Sequence, residues 1–236
     1  MLLYIIRHGD PDYPTDTLTL RGMFQAEAVG KRMYDAGIDR IFTSPMGRAR
    51  LTASPAARLL GLTPQIEAWT HEIGDEKSVI QPDGRRRSIS VLPGSYLREN
   101  GAQEIGYRDS MTAPYFNTIA DKLQPTFDYI DASGQDFLER LGYREENGVY
   151  RILRPNKERV ALFCHAAFMR AWLSTLLHIP KHMFWADFAI THTGVTVLEF
   201  RNYKSGITAP KVLCFSDMSH LYAAGLDMVH DNHIRL

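Results

Sequence analysis

Leu2-Leu3-Tyr4-Ile5-Ile6-Arg7-His8-Gly9 is the stretch whose reading decides the fold. Leu2–Arg7 is an apolar run of strand length, suited to the middle of a sheet covered on both faces. It ends abruptly in Arg-His-Gly, a cation, an imidazole and a glycine at a strand terminus. Open α/β sheets bind their ligands at the C-terminal edge of the strands, so the tripeptide stands where chemistry is expected.

Working outward, residues 11–17 are turn-rich, and a helix begins near Thr19 with Leu20, Met23, Ala26, Gly30 and Met33 at helical spacing. Arg40–Thr43 is a second strand. It runs into Ser44-Pro45, which predicts a helix with serine as N-cap and proline at its first position. Ser54-Pro55 repeats that signal and predicts a kink or restart. A third strand covers residues 65–69. Strand and helix alternating in this order predict parallel pairing through right-handed crossovers.

Periodicity then fades over residues 74–114, which contain Gly84-Arg85-Arg86-Arg87, and this segment is read as an inserted lid. Residues 115–141 are helical, with interruptions expected near Pro125 and Gly134. Arg159–Cys164 is a fully apolar strand after its first residue, and residues 165–177 form the following helix. Residues 194–200 and 211–215 predict two more strands, antiparallel neighbours at the sheet edge. The expectation is an α/β fold, a three-layer sandwich around a mostly parallel central sheet with an antiparallel edge, plus the lid. Residues 1–236 then form a single catalytic domain.

Composition narrows the class. The 27 basic residues cancel the 27 acidic ones, so no global field points to nucleic acid or a membrane as partner. No run approaches the ~20 apolar residues of a membrane span. Two cysteines, Cys164 and Cys214, both in apolar runs, and a start without a basic leader predict a cytoplasmic protein without a disulfide framework. Oligomeric state has no sequence signal.

Arg7 and His8 close the first strand, Arg48 falls in the first turn of the helix after the second, and His165 follows Arg159–Cys164. Two arginines and two histidines thus meet on one rim, which suits a phosphate. Guanidinium groups hold phosphate oxygens in a bidentate fork and can stabilise charge during phosphoryl transfer. His165 also precedes a helix, where unpaired backbone N–H groups favour an anion. Neutral imidazole is the natural attacking group, and nearby arginines should depress the His8 pKa.

With these residues in place the sequence resembles the histidine phosphatase superfamily, on its phosphoglycerate-mutase-like branch. The matching pieces are Arg7-His8-Gly9, Leu18-Thr19 with Gly22, Gln25 and Ala26, Ser44-Pro45-Met46-Gly47-Arg48-Ala49 with Thr52-Ala53, Glu72, and His165 after its strand. The resemblance implies that His8 becomes phosphorylated, that Arg7, Arg48 and His165 grip the phosphoryl group, and that Glu72 protonates the leaving oxygen. It implies a phosphorylated small molecule as substrate and neither metal nor cofactor. Two departures stand out: Ala166-Ala167 replaces the usual glycines, and the segment around Glu72 is contracted, leaving Asp75 and Glu76 as alternative acids.

Other readings compete. A phosphoglycerate-type mutase would resemble relatives carrying a serine and a Trp-Asn pair after Arg-His-Gly, which Asp10-Pro11-Asp12-Tyr13 lacks. A phospho-ligand binding protein would keep the pocket without turnover. Cys164 and Arg170 have the spacing of a cysteine-dependent phosphatase, but Ala-Ala-Phe-Met between them favours a helix over an anion-wrapping loop. His71-Glu72 lacks the second histidine of a zinc-protease helix, and His230 and His233 are read as solvated terminal residues. The lid aromatics Tyr96, Tyr107, Tyr115 and Phe116 either pack a leaving group or form the lid's own core.

Overall fold

The computed structural model describes residues 1–230, 234 and 235. The chain forms two compact units, one of Met1–His71, Leu138–Ala166 and Ile190–Leu236, the other of Glu72–Phe137 and Ala167–Ala189. It is an α/β protein with a mostly parallel central sheet flanked by helices. The strands are β1 (Leu2–Arg7), β2 (Arg40–Thr43), β3 (Gln65–Ile66), β4 (Arg159–Cys164), β5 (Val195–Glu199) and β6 (Lys211–Asp217).

Their order across the sheet is β6-β5-β1-β4-β2-β3. β1, β4, β2 and β3 run parallel, while β5 pairs antiparallel with β1 and with β6. The antiparallel edge is the expected one. In the centre of the sheet Leu3, Ile5, Ile6 and Val160 through Cys164 have no exposed surface, which explains why these strands read as apolar runs without alternation.

Helix α1 (Leu20–Ala36) and helix α2 (Gly47–Leu60) cover one face, where Val29, Met33, Ala53 and Ala56 pack with Tyr4, Ile6, Ile41, Ala161 and Phe163. Thr19 is the α1 N-cap, its hydroxyl accepting the Gly22 N–H. The buried stripe of α1 differs from the expected one: Gly22, Gln25, Ala26, Val29, Gly30 and Met33 face inward, while Leu20 and Met23 are exposed. Helix α2 begins after Met46, so Ser44 is not its cap. It also runs unbroken through Pro55. Proline has no N–H for the Leu51 carbonyl, and the Ser54 hydroxyl donates to that carbonyl instead (3.0 Å).

Helix α3 (Ala120–Arg140) is likewise continuous through Pro125 and Gly134. Gly134 has a packing role: a Cβ there would collide with the indole of Trp172, so glycine lets α3 press against that ring. A hairpin of Tyr143–Glu146 and Val149–Ile152, beyond the strands expected from the sequence, turns on Asn147 and Gly148, both at positive φ (53° and 89°). The third strand is shorter than expected, ending at Ile66 before a 3₁₀ turn at Ala68–Thr70.

The second unit contains the expected insertion and extends beyond it, through Phe137 and over Ala167–Ala189. Short 3₁₀ turns, a two-stranded ladder (Ser78–Ile80 with Arg86–Ser88) and a six-residue helix, Gly94–Glu99, make up much of it. Its core is aromatic: Phe116 and Phe127 pack on Trp185 with ring centroids 6.3 and 6.0 Å away. Of the four lid aromatics only Phe116 is buried, and Arg85, Arg86 and Arg87 are exposed. Helix α4 (Ala166–Leu177) follows β4, and its regular course removes the wrapping loop that a Cys164 nucleophile would need.

Candidate active site

Three parallel strands finish in step. Arg7 pairs with Cys164 and Phe163 with Thr43, so His8, His165 and Ser44 are the next residues off the ends of β1, β4 and β2. The His8 N–H donates to the Cys164 carbonyl and the Ser44 N–H to the Phe163 carbonyl, each at 2.9 Å. The His8 and His165 rings are thereby brought to 5.2 Å between centroids. Both are buried.

The tautomer of His8 follows from its partner. Its Nδ1 lies 2.7 Å from the Gly9 carbonyl oxygen, which can only accept, so Nδ1 carries the proton and Nε2 keeps its lone pair. Burial first, then the Arg7 guanidinium, with a further contribution from Arg48, push the His8 pKa down to about 3, against the raising effect of the Gly9 bond. The direction matches the sequence expectation, but burial outweighs the arginines. His165 is held well below its ordinary value by burial, His8 and Arg48.

Arg7 donates from Nη1 to the Ile190 carbonyl (2.6 Å). Arg48 is buried in the first turn of α2, with Nη1 donating to Asp16 Oδ1 (2.6 Å). Asp16 also accepts the Gly47 N–H at 2.6 Å through its other oxygen. Burial alone would raise the Asp16 pKa, but the Gly47 N–H and Arg48 hold it below the usual carboxylate range. The tripeptide is braced from behind: the Gly9 N–H donates to Thr52 Oγ1 (2.9 Å), and the Thr52 hydroxyl to the Arg48 carbonyl (2.7 Å).

Ser44, expected as a helix cap, has another task. Its Oγ lies 2.7 Å from His165 Nε2 and accepts the Met46 N–H at 3.4 Å, so its hydroxyl proton is best directed at the imidazole. With the Ser44 hydroxyl as donor, the His165 ring proton is on Nδ1. His165 Nδ1 and Arg48 Nε are both buried with no hydrogen-bond partner among the described residues.

Four of the five expected site residues, Arg7, His8, Arg48 and His165, thus gather in the first unit. Glu72 belongs to the second unit. Its carboxylate accepts N–H groups from Ile73 (3.0 Å), Phe168 (3.1 Å) and Ala167 (3.5 Å). The N–H groups at the start of α4, expected to favour a phosphate, therefore serve Glu72. Asp16 and His192 were not among the expected site residues, and Ser44 and Thr52, which belong to the matching motif, have roles that the motif did not announce. His192 is buried with its ring 5.6 Å from His8 and Nδ1 3.5 Å from Asp10 Oδ1. Its signal was available: an antiparallel strand beside β1 begins where β1 ends, so residues just before β5 must lie near His8.

Among the described residues no group of three or more His, Cys, Asp or Glu side chains is placed to hold a metal ion. His230 pairs in a two-residue ladder, and His233 lies outside the described residues. No helix among the described residues is long and apolar enough to cross a membrane.

Known proteins share this arrangement of chain. The family model of the histidine phosphatase superfamily (branch 1) matches residues 3–75 and 97–211. A protein of Escherichia fergusonii named Probable phosphoglycerate mutase GpmB is 24% identical, the alignment covering 95% of this chain and 97% of that one. The crystal structure of phosphoserine phosphatase from Entamoeba histolytica, in complex with 3-phosphoglyceric acid, superposes with a TM-score of 0.59 at 22% identity, over 93% of this chain and 98% of that one. A mycobacterial glucosyl-3-phosphoglycerate phosphatase gives 0.57 at 17% identity, over 92% and 99%.

Proposed function

We propose that this chain, which belongs to the histidine phosphatase superfamily, hydrolyses phosphomonoesters of small molecules through a phosphohistidine at His8. The observation that carries the reading is the state of His8: a buried, neutral imidazole whose Nδ1 proton is committed to Gly9, so that Nε2 is the nucleophilic nitrogen. Around it stand two permanent cations, Arg7 and Arg48, and a second neutral imidazole, His165.

In the first step Nε2 attacks phosphorus, the bond to the ester oxygen breaks, and that oxygen takes a proton. Arg48 Nε and His165 Nδ1 are donors that cost about 1–3 kcal/mol each while buried and unpaired, and phosphoryl oxygens would satisfy both. Arg7 and Arg48 offset the charge gathering on those oxygens, so the route draws on no metal. We assign the proton to Glu72, the carboxylate that the family resemblance offers for this role. Asp75 and Glu76 are the substitutes. In the second step water attacks phosphorus and gives its proton to the Glu72 carboxylate, the P–N bond breaks, and the electron pair returns to His8.

The mutase name of the curated relatives supports a second reading, transfer rather than hydrolysis. Asp10-Pro11-Asp12-Tyr13, without the serine and Trp-Asn pair of such mutases, favours hydrolysis. The phosphoserine and glucosyl-3-phosphoglycerate phosphatases with this fold make a phosphorylated metabolite the fitting substrate class. Incubation with p-nitrophenyl phosphate plus a chelator tests the reading. Steady release that disappears in His8→Ala is expected; release that needs added metal, or none over a broad pH range, would overturn it.

A further inference from the structure

We propose that His192, held by Asp10, is a third imidazole of the phosphoryl site, and that it takes up a proton when a phosphate dianion enters. The inference rests on the reading of the His8 pocket as a phosphoryl site and adds a residue which that mechanism leaves unused.

The chain around His192 is bonded directly to the nucleophile's own backbone. Arg7 Nη1 donates to the Ile190 carbonyl, the Arg7 N–H to the Gly194 carbonyl (3.4 Å), and the Thr193 N–H to the carbonyls of both Arg7 and His8 (3.1 and 3.2 Å). The residues on either side of His192 are thus tied to β1, and its ring lies at nearly the same distance from His8 as that of His165, 5.6 against 5.2 Å between centroids. We place a phosphoryl group seated on His8 Nε2 between these rings, within reach of His192.

The backbone here is strained. Thr193 has φ of 54°, in the left-handed region that a β-branched residue rarely enters. The conformation is held by the two N–H bonds above, by the Thr193 hydroxyl on the His192 carbonyl (2.8 Å), and by His220 Nε2 at 3.1 Å from that hydroxyl. An ordinary turn would not need such support, and strain of this kind collects where a side chain must be aimed.

Charge then distinguishes His192 from its two neighbours. Among the described residues it is the one of the three with a carboxylate at ion-pair distance, Asp10 Oδ1 facing Nδ1 at 3.5 Å. Asp10 is itself fixed, its Oδ2 accepting the Thr19 hydroxyl (2.7 Å) and its N–H donating to Gln25 (2.8 Å). Asp10 favours a proton on Nδ1, and a dianion within reach of the ring favours a second on Nε2. Opposing it are Arg7 and the His8 ring, and, beyond Thr193, Arg32, which is paired with Asp217 (2.5 Å) next to His220. His8 and His165 are held neutral by burial and by the arginines, so neither is suited to gain the proton. The proton comes from solvent and leaves with the product.

Titration calorimetry of the full chain with tungstate, an inorganic dianion with no proton of its own at mildly alkaline pH, tests this in buffers of different ionisation enthalpy. The wild type should take up close to one proton per tungstate bound. His192→Gln should bind without uptake, and Asp10→Asn should take up less. Histidine ¹⁵N NMR on the wild type provides a readout that needs no variant: one imidazole should shift to the imidazolium pattern on tungstate addition. Full uptake retained in His192→Gln, or no histidine shift on binding, overturns the proposal. The underlying pocket is checked separately by Arg48→Ala, which should weaken tungstate binding by about tenfold or more. Binding that ignores Arg48 would sink the phosphoryl-site reading itself.

Discussion

The strand-end site and the second unit are built on different principles. At the strand ends, register does the placing: three parallel strands stop in step, and the residue after each stop, His8, His165 and Ser44, can only fall beside the others. In the second unit there is little register to inherit. Short 3₁₀ turns are held by local bonds, such as the Ser88 hydroxyl accepting the Ser90 N–H, and by single long-range ones, such as His182 reaching the Ala102 carbonyl (2.9 Å), around a small aromatic core. The first construction makes chemistry dependent on a few side chains; the second spreads stability over packing and leaves its exposed residues exchangeable.

Substitution is the way to break that contrast, and the largest effect belongs to the nucleophile. His8→Ala should lower kcat/KM by about 10³-fold or more with the fold intact by circular dichroism, since removing a residue that forms the covalent intermediate removes the pathway. Arg48→Ala should cost about 10²–10³-fold in kcat, the scale of one lost donor to transition-state charge. Retention of activity in either would show that register has placed these side chains for some other purpose.

Glu72→Gln should cost about 10²-fold or more with an alkyl phosphate and far less with p-nitrophenyl phosphate, whose leaving group needs no proton. Equal losses on both would move the acid role to Asp75 or Glu76. In the second unit Phe127→Ala, at a fully buried ring, should cost about 3–5 kcal/mol of stability in denaturant unfolding. Arg86→Ala, on an exposed strand, should change stability and p-nitrophenyl phosphate turnover by no more than about two-fold in equilibrium or rate.

Proton linkage sharpens the same comparison. His8 has a folded pKa of about 3 against an unfolded value of 6.5, so between these limits the unfolded chain binds the extra proton. Its contribution to stability is complete above 6.5 and falls as pH drops toward 3. His8→Asn should accordingly flatten the acid side of the stability profile. For the same reason kcat/KM should show no His8 limb near 6.5.

How much of this the sequence disclosed follows the same division. β1 and β4 were legible because doubly covered strands must be apolar throughout, and with them came Arg7, His8 and His165. The phase of α1 was misread because its buried side includes Gly22 and Gln25, the latter needed to receive the Asp10 N–H, while apolar Leu20 and Met23 face outward. Ser44 looked like a cap because serine before proline usually is one; only the tertiary pairing of β2 with β4 delivers it to His165. The Asn147-Gly148 turn had a plain local signal that a search for long periodicities passes over. Residues 74–114 resisted reading because 3₁₀ turns of three residues impose no period on a sequence.

In hydrolysis through a phosphohistidine, His8 Nε2 becomes bonded to phosphorus. Rapid mixing with substrate, followed by mass spectrometry under conditions that preserve acid-labile phosphate, measures this directly. The expected result is one phosphoryl group mapped to His8 in the wild type and none in His8→Ala. Phosphate retained by His8→Ala, or mapped to Cys164, would contradict it.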